Sequence, residues 1–144
     1  MYIGQRWFNK NNVKPLFPFG FGLSYTEFQY SDLKLSMSKE GLNATFISYN
    51  KGLVSGSAVP MMFITFPDYI GDYPKYILKG FEKVELDIGQ IKTVTIIADD
   101  HALSYFDVDV NNYVRVNKDK IKVSIAENGD PDQSLLNGEI DASF

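Results

Sequence analysis

The chain has 144 residues, a net charge of −4 and no cysteine. That length holds one domain with a real core and little more, and needs no covalent staple. Disulfides, thiolate metal sites and thiol nucleophiles are therefore excluded. The acidic balance and the lack of an apolar run near ~20 residues argue against nucleic acid and membrane as partners.

Residues 1–26 differ from everything after them. They are rich in aromatic side chains, glycine and proline (Trp7, Phe8, Pro15, Phe17, Pro18, Phe19, Gly20, Phe21, Gly22, Tyr25), with neither a helical period nor a clean alternation. Prolines and glycines break regular structure, while the five large rings from Trp7 to Phe21 require burial. Such a segment suits an irregular linker lying against a neighbouring surface, because on its own it exposes an apolar patch. Arg6, Trp7 and Lys10 also stand where an export signal needs an apolar stretch, so none is expected in these residues. The compartment stays open, since a core of this size needs no bridges in a secreted protein either.

From Phe28 onward the pattern is that of strands. Leu33, Leu35 and Met37 alternate with polar residues, and Leu42, Ala44 and Phe46 repeat the pattern after a turn at Glu40–Gly41. Val59 to Phe66 is apolar on both faces, as in a central strand, and Pro67 ends it. A loop with Gly71 and Pro74 precedes Phe81, Val84 and Leu86, with a turn at Gly89. Val94, Ile96 and Ala98 form the next alternating set, then Ile121, Val123 and Ile125, and a final strand lies between Gln133 and Phe144. About seven short strands with regular turn signals and no convincing helix predict an all-β fold, a fibronectin-III or immunoglobulin-like sandwich. A small barrel or jelly roll remains open on periodicity alone.

Chemical motifs are sparse. The single histidine, His101, cannot build a zinc site alone and is read as a surface residue, and no serine sits in a nucleophile elbow. Asp107-Val-Asp109-Val-Asn111 imitates the start of a calcium loop, but Asn112 and Lys118 stand where Gly and Glu are needed. Gly20-Phe-Gly22 lacks the third glycine of a dinucleotide fingerprint, with Tyr25 in its place. Two carboxylate pairs could face a sugar, Asp107 with Asp109 on one strand face and Asp68 with Asp72 in one loop, but 18 acidic residues make accidental pairs common. Lys118, Lys120 and Lys122 alternate beside Asp119 as a solvated strand face. No catalytic residue, metal ligand or cofactor is therefore expected in the chain. Asn43-Ala44-Thr45 is an N-glycosylation acceptor, meaningful in a secreted chain.

Arg6-Trp7-Phe8 and the string from Pro15 to Thr26, which ends in FPFGFGLSYT, resemble the stretch leading out of the α/β sandwich domain of glycoside hydrolase family 3 β-glucosidases. Asn50-Lys51-Gly52 with Gly56, the strand Met61 to Phe66, Leu78-Lys79-Gly80-Phe81-Glu82-Lys83-Val84 and Leu103-Ser104-Tyr105-Phe106-Asp107 resemble the fibronectin type III-like domain that follows it. Phe106 and Tyr113 stand where that family has tryptophan, and Asp119, Lys120 and Ile121 replace a Gly-x-Tyr. The resemblance implies two parts, 1–26 as the tail and linker of the preceding domain and 27–144 as the fibronectin type III-like domain. It also implies a parent that cleaves terminal β-glucosides with both catalytic carboxylates outside this chain, leaving the chain inactive alone. Its implied partners are the parent's catalytic domains, met through Arg6, Trp7, Phe8, Phe17, Phe19 and Phe21.

A second reading is a stand-alone module that binds carbohydrate or protein, using Tyr69, Tyr73 and Tyr76 after Pro67. A complete small hydrolase is a third, without a catalytic constellation to support it. The fate of residues 1–26 separates the first two. A structural module leaves their rings for another surface, whereas a self-sufficient binder folds them onto its own sandwich.

Overall fold

Alternating apolar residues do form strands, and the strands form two facing sheets. The computed structural model describes residues 2–74 and 76–143. One sheet has the order β1-β2-β7 (Phe28–Ser38, Gly41–Asn50, Ile91–Asp99). The other has the order β11-β10-β4-β5 (Leu136–Asp141, Lys120–Ala126, Met61–Thr65, Ile77–Phe81). These are the seven strands of the expected sandwich, and every pairing is antiparallel. Two ribbons add to them: β3 with β6 (Gly56–Ala58, Val84–Leu86) and β8 with β9 (Ser104–Asp107, Asn112–Arg115). The final strand stops at Asp141; Phe144 lies outside the described residues.

The core follows from side-chain parity. Leu42, Ala44 and Phe46 of β2 stand opposite Ala98, Ile96 and Val94 of β7, and all six are buried. They meet Met62, Ile64, Val123 and Ile125 from the second sheet. In β1 the inward residues change parity, from Phe28 and Tyr30 to Leu33, Leu35 and Met37. A bulge between Ser31 and Lys34, with Asp32 at φ 56°, supplies the extra residue that this requires. Gly41 opens β2 at φ 137°, where a Cβ would stand 2.1 Å from the carbonyl oxygen of Ala98. Only glycine fits that turn.

Strand β4 is central, as its two-faced apolar run predicts, and its second face has its own cover. Met61 and Phe63 point away from the main core into a smaller cluster with Tyr76, Ala126 and Leu78. The rings of Phe63 and Tyr76 stack with centroids 4.3 Å apart. Gly20 lies against Met61, and Ile3, Gln5, Arg6 and Phe19 line a cavity with Tyr76 and Leu78 on this face.

Three expectations are corrected. A six-residue helix α1 (Gln5–Lys10) stands in the segment expected to be irregular; it is too short for a helical period to register in sequence. Phe81, Val84 and Leu86 belong to two strands, β5 and β6, in different sheets. Asp107 and Asp109 do not share a strand face, because β8 ends at Asp107, whose Oδ1 accepts the backbone N–H of Asp109 at 2.9 Å. That local turn removes the pair from glycosidase-like geometry.

Candidate functional site

The candidate residues Arg6, Trp7, Phe8, Phe17, Phe19 and Phe21 all belong to a segment with two unlike sides. Its inner side is held to the sandwich by polar and backbone contacts. The Tyr2 hydroxyl and Lys10 Nζ both donate to Asp72 Oδ1 at 2.7 Å. These donors hold the Asp72 carboxyl below the usual carboxylate range, and Asp72 in turn raises the Lys10 ammonium. Lys14 reaches the buried carboxylate of Asp130 at 3.2 Å. The Gln5 side chain covers Gly129, and the Gly129 N–H donates to the Phe19 carbonyl at 2.7 Å. Gly20, at φ 81°, lies so close to Met61 that a Cβ there would come within 2.6 Å of its methyl carbon.

At the exit of the segment the Thr26 hydroxyl donates to Asn50 Oδ1 at 2.6 Å. Asn50 is fully buried and saturated: its Oδ1 also accepts from Gly52 N, and its Nδ2 donates to the carbonyls of Val54 and Leu86. This clamp joins the segment, the loop after β2 and strand β6. In sequence Asn50 stands out only within the family resemblance; its complete burial marks it as a hub.

The outer side carries the rings. Trp7 is 46% exposed and Phe17 66%, while Phe19 and Phe21 are also exposed and Phe8 is half-buried. α1 buries no residue. Trp7 meets Phe8 edge-on at 5.3 Å, and Phe17 meets Phe21 at 5.2 Å, so the rings form pairs among themselves rather than entering the core. Arg6 lines a cleft of about 370 Å³ with Tyr2, Lys10, Asp72, Tyr73 and Tyr76.

The loop tyrosines divide. Tyr69 is exposed, but Tyr73 stacks on Phe66 at 5.6 Å and Tyr76 is buried against Phe63. Burial, with Asp130 nearby, pushes the Tyr76 hydroxyl above the ordinary tyrosine range. Two of the three rings are thus packing elements. His101 is exposed beside Tyr113, with ring centroids 4.7 Å apart. Asn43 is half-buried on the outer face of β2 between Ser36 and Ile97, and the hydroxyls of Thr45 and Thr95 share a hydrogen bond of 2.9 Å. Among the described residues no group of three or more His, Asp or Glu side chains is arranged to hold a metal ion.

Residues 58–128 match the family model of the fibronectin type III-like domain. The chain is 32% identical over 117 residues to the thermostable β-glucosidase B of Acetivibrio thermocellus, covering 78% of this chain and 16% of that protein. It is 40% identical over 107 residues to a probable β-glucosidase I of Aspergillus niger, covering 69% of this chain and 13% of that one. The crystal structure of DesR, a β-glucosidase from Streptomyces venezuelae in complex with D-glucose, superposes with a TM-score of 0.89 at 31% identity, over 96% of this chain and 18% of that one. The chain therefore spans a small fraction of each of these proteins.

Proposed function

We infer that this chain, which has the sequence and fold of the carboxyl-terminal, fibronectin type III-like part of family 3 β-glucosidases, is a non-catalytic module that packs against the catalytic body of such an enzyme. Residues 27–144 form the module, and residues 1–26 form the strap that joins it to that body. One observation carries this reading. The strap is pinned to the sandwich on its inner side, yet presents Trp7, Phe17, Phe19 and Phe21 outward. A sheet of exposed rings held in fixed geometry is what a docking surface requires, and it is costly for a free-standing domain. Arg6 and Phe8, at the same helix, complete the contact. The parent's chemistry, hydrolysis of terminal β-glucosides, is performed by residues outside this chain.

A carbohydrate partner has less to stand on, since Tyr69 is the one loop tyrosine turned to solvent. Asn43, on an outward strand face, serves as a glycan acceptor where the parent is secreted.

The test is the size of the natural polypeptide, by immunoblot of source cells with an antibody against residues 34–51. The expected band is several times heavier than the 144-residue chain, and the protein in that band hydrolyses an aryl β-glucoside while the 144-residue chain does not. A band at the short chain's own size, with none above it, would overturn the reading.

A further inference from the structure

The β8–β9 hairpin is a second apolar surface that the strap does not account for. Its tip exposes Val108 (79%) and Val110 (63%), and its strands expose Phe106 and Tyr113. The last two are cross-strand partners whose rings meet at 5.4 Å. The display is rigid at its base. Leu103 and Val116 are buried and joined by a backbone hydrogen bond of 3.0 Å, and Arg115 pairs with Asp100 at 2.8 Å. A ribbon anchored this firmly, with four bulky side chains facing water, is an interaction surface rather than a loosely packed loop.

Its position indicates what covers it. Tyr105 of β8 packs edge-on against Tyr73 at 6.3 Å. Tyr73 also lines the cleft that holds Arg6 of α1. The neighbouring Asp72 is the residue that anchors Tyr2 and Lys10. The loop after Pro67 therefore bridges strap and hairpin, so a body seated on the α1 end of the strap lies next to the hairpin. The hairpin and the turn before it hold Asp99, Asp100, Asp107 and Asp109 against Arg115 alone, so a partner with a basic rim is favoured.

We propose that the β8–β9 hairpin is a second docking surface, an apolar tip with an acidic border, that seats on the same catalytic body as the strap. This rests on the module reading above, and names a contact that reading does not contain. A sugar suits the site poorly: Phe106 and Tyr113 stand at 79° and offer no shared flat face, and two valines crown the tip.

Hydroxyl-radical footprinting of the complete natural polypeptide tests the proposal, with labelling of each residue normalised to the unfolded protein. Leu53 and Ile97, exposed on other faces, serve as internal references. Phe106 and Tyr113 are expected to label several-fold less than the references, in step with Trp7 and Phe17. Protection of Trp7 and Phe17 with a freely labelled hairpin would overturn the hairpin proposal and leave the module reading standing. Free labelling of all four would overturn both. Hairpin protection that vanishes on dilution would assign the surface to a second copy, and protection that appears only with added cello-oligosaccharide would assign it to a sugar. Either result overturns the proposal.

Discussion

Asn50 shows how much one polar side chain can fix when it is fully buried. Its amide spans four partners: the Thr26 hydroxyl, the Gly52 N–H and the carbonyls of Val54 and Leu86. Removing it strands buried polar groups, and each costs about 1–3 kcal/mol. Asn50→Ala should therefore destabilise the chain by roughly 3 kcal/mol, read as a lower urea midpoint. Asn50→Asp is the sharper test, because it keeps the shape but turns a carboxylate oxygen toward two carbonyl oxygens. It should cost at least as much as the alanine variant. An aspartate variant as stable as the parent would show that the Nδ2 hydrogen bonds contribute nothing. At this scale sequence is least informative: Asn50-Lys51-Gly52 reads as a turn, and nothing in three residues announces a saturated amide. The same holds for Asp130, whose buried carboxylate meets Lys14 from far along the chain.

At the scale of elements, legibility tracks alternation. β2, β7 and β10 present apolar residues at every second position and could be placed from sequence, because one face of each lies on the core. The parity change in β1 was also present in the sequence, since Tyr30 and Leu33 cannot share a face without a bulge. β3, β8 and β9 escaped because three or four residues carry too little pattern. α1 escaped for a related reason: it buries nothing, so tertiary anchors rather than an apolar stripe hold it.

Those anchors make the helix responsive to acid. Asp72 has a lowered folded pKa, so its contribution is complete above its unfolded value of 3.8 and is lost as pH falls through the lower folded one. Lys10 has a raised folded pKa, so its contribution is complete below 10.5 and is lost as pH rises through the higher folded value. The contact therefore holds across neutrality. Trp7, the only tryptophan, reports on the helix directly. Its fluorescence anisotropy should be level between about pH 5 and 9 and fall on acidification below the ordinary carboxylate range. Asp72→Asn should lower the anisotropy at neutral pH and flatten the acid step. An acid step that survives in Asp72→Asn would place the titrating group elsewhere.

For the whole molecule the decisive feature is the segment before the sandwich, whose two sides make opposite demands on the rest. Its inner side completes the domain. The outer face of the four-stranded sheet carries Met61, Phe63, Tyr76 and Leu78, and Gly20, Gln5 and Phe19 lie over or beside that cluster. Its outer side leaves Trp7, Phe17, Phe19 and Phe21 exposed among the described residues. The sequence made the excess of rings plain but could not divide the segment into inner and outer sides, because that division is made by Asp72, Met61, Gly129 and Asp130, each distant in sequence. Stability and solubility should therefore respond to different substitutions. Deleting residues 2–24 uncovers the Met61–Tyr76 cluster and should cost about 1.5–3 kcal/mol for each large side chain newly wetted, with binding of a hydrophobic dye. Replacing only outward rings, as in Trp7→Ser, Phe17→Ser and Phe21→Ser together, should leave the urea midpoint of the 144-residue chain almost unchanged and raise its solubility. If the triple variant unfolds as readily as the deletion, the rings stabilise the sandwich itself, and the strap would be a self-contained part of the domain rather than a surface awaiting a partner.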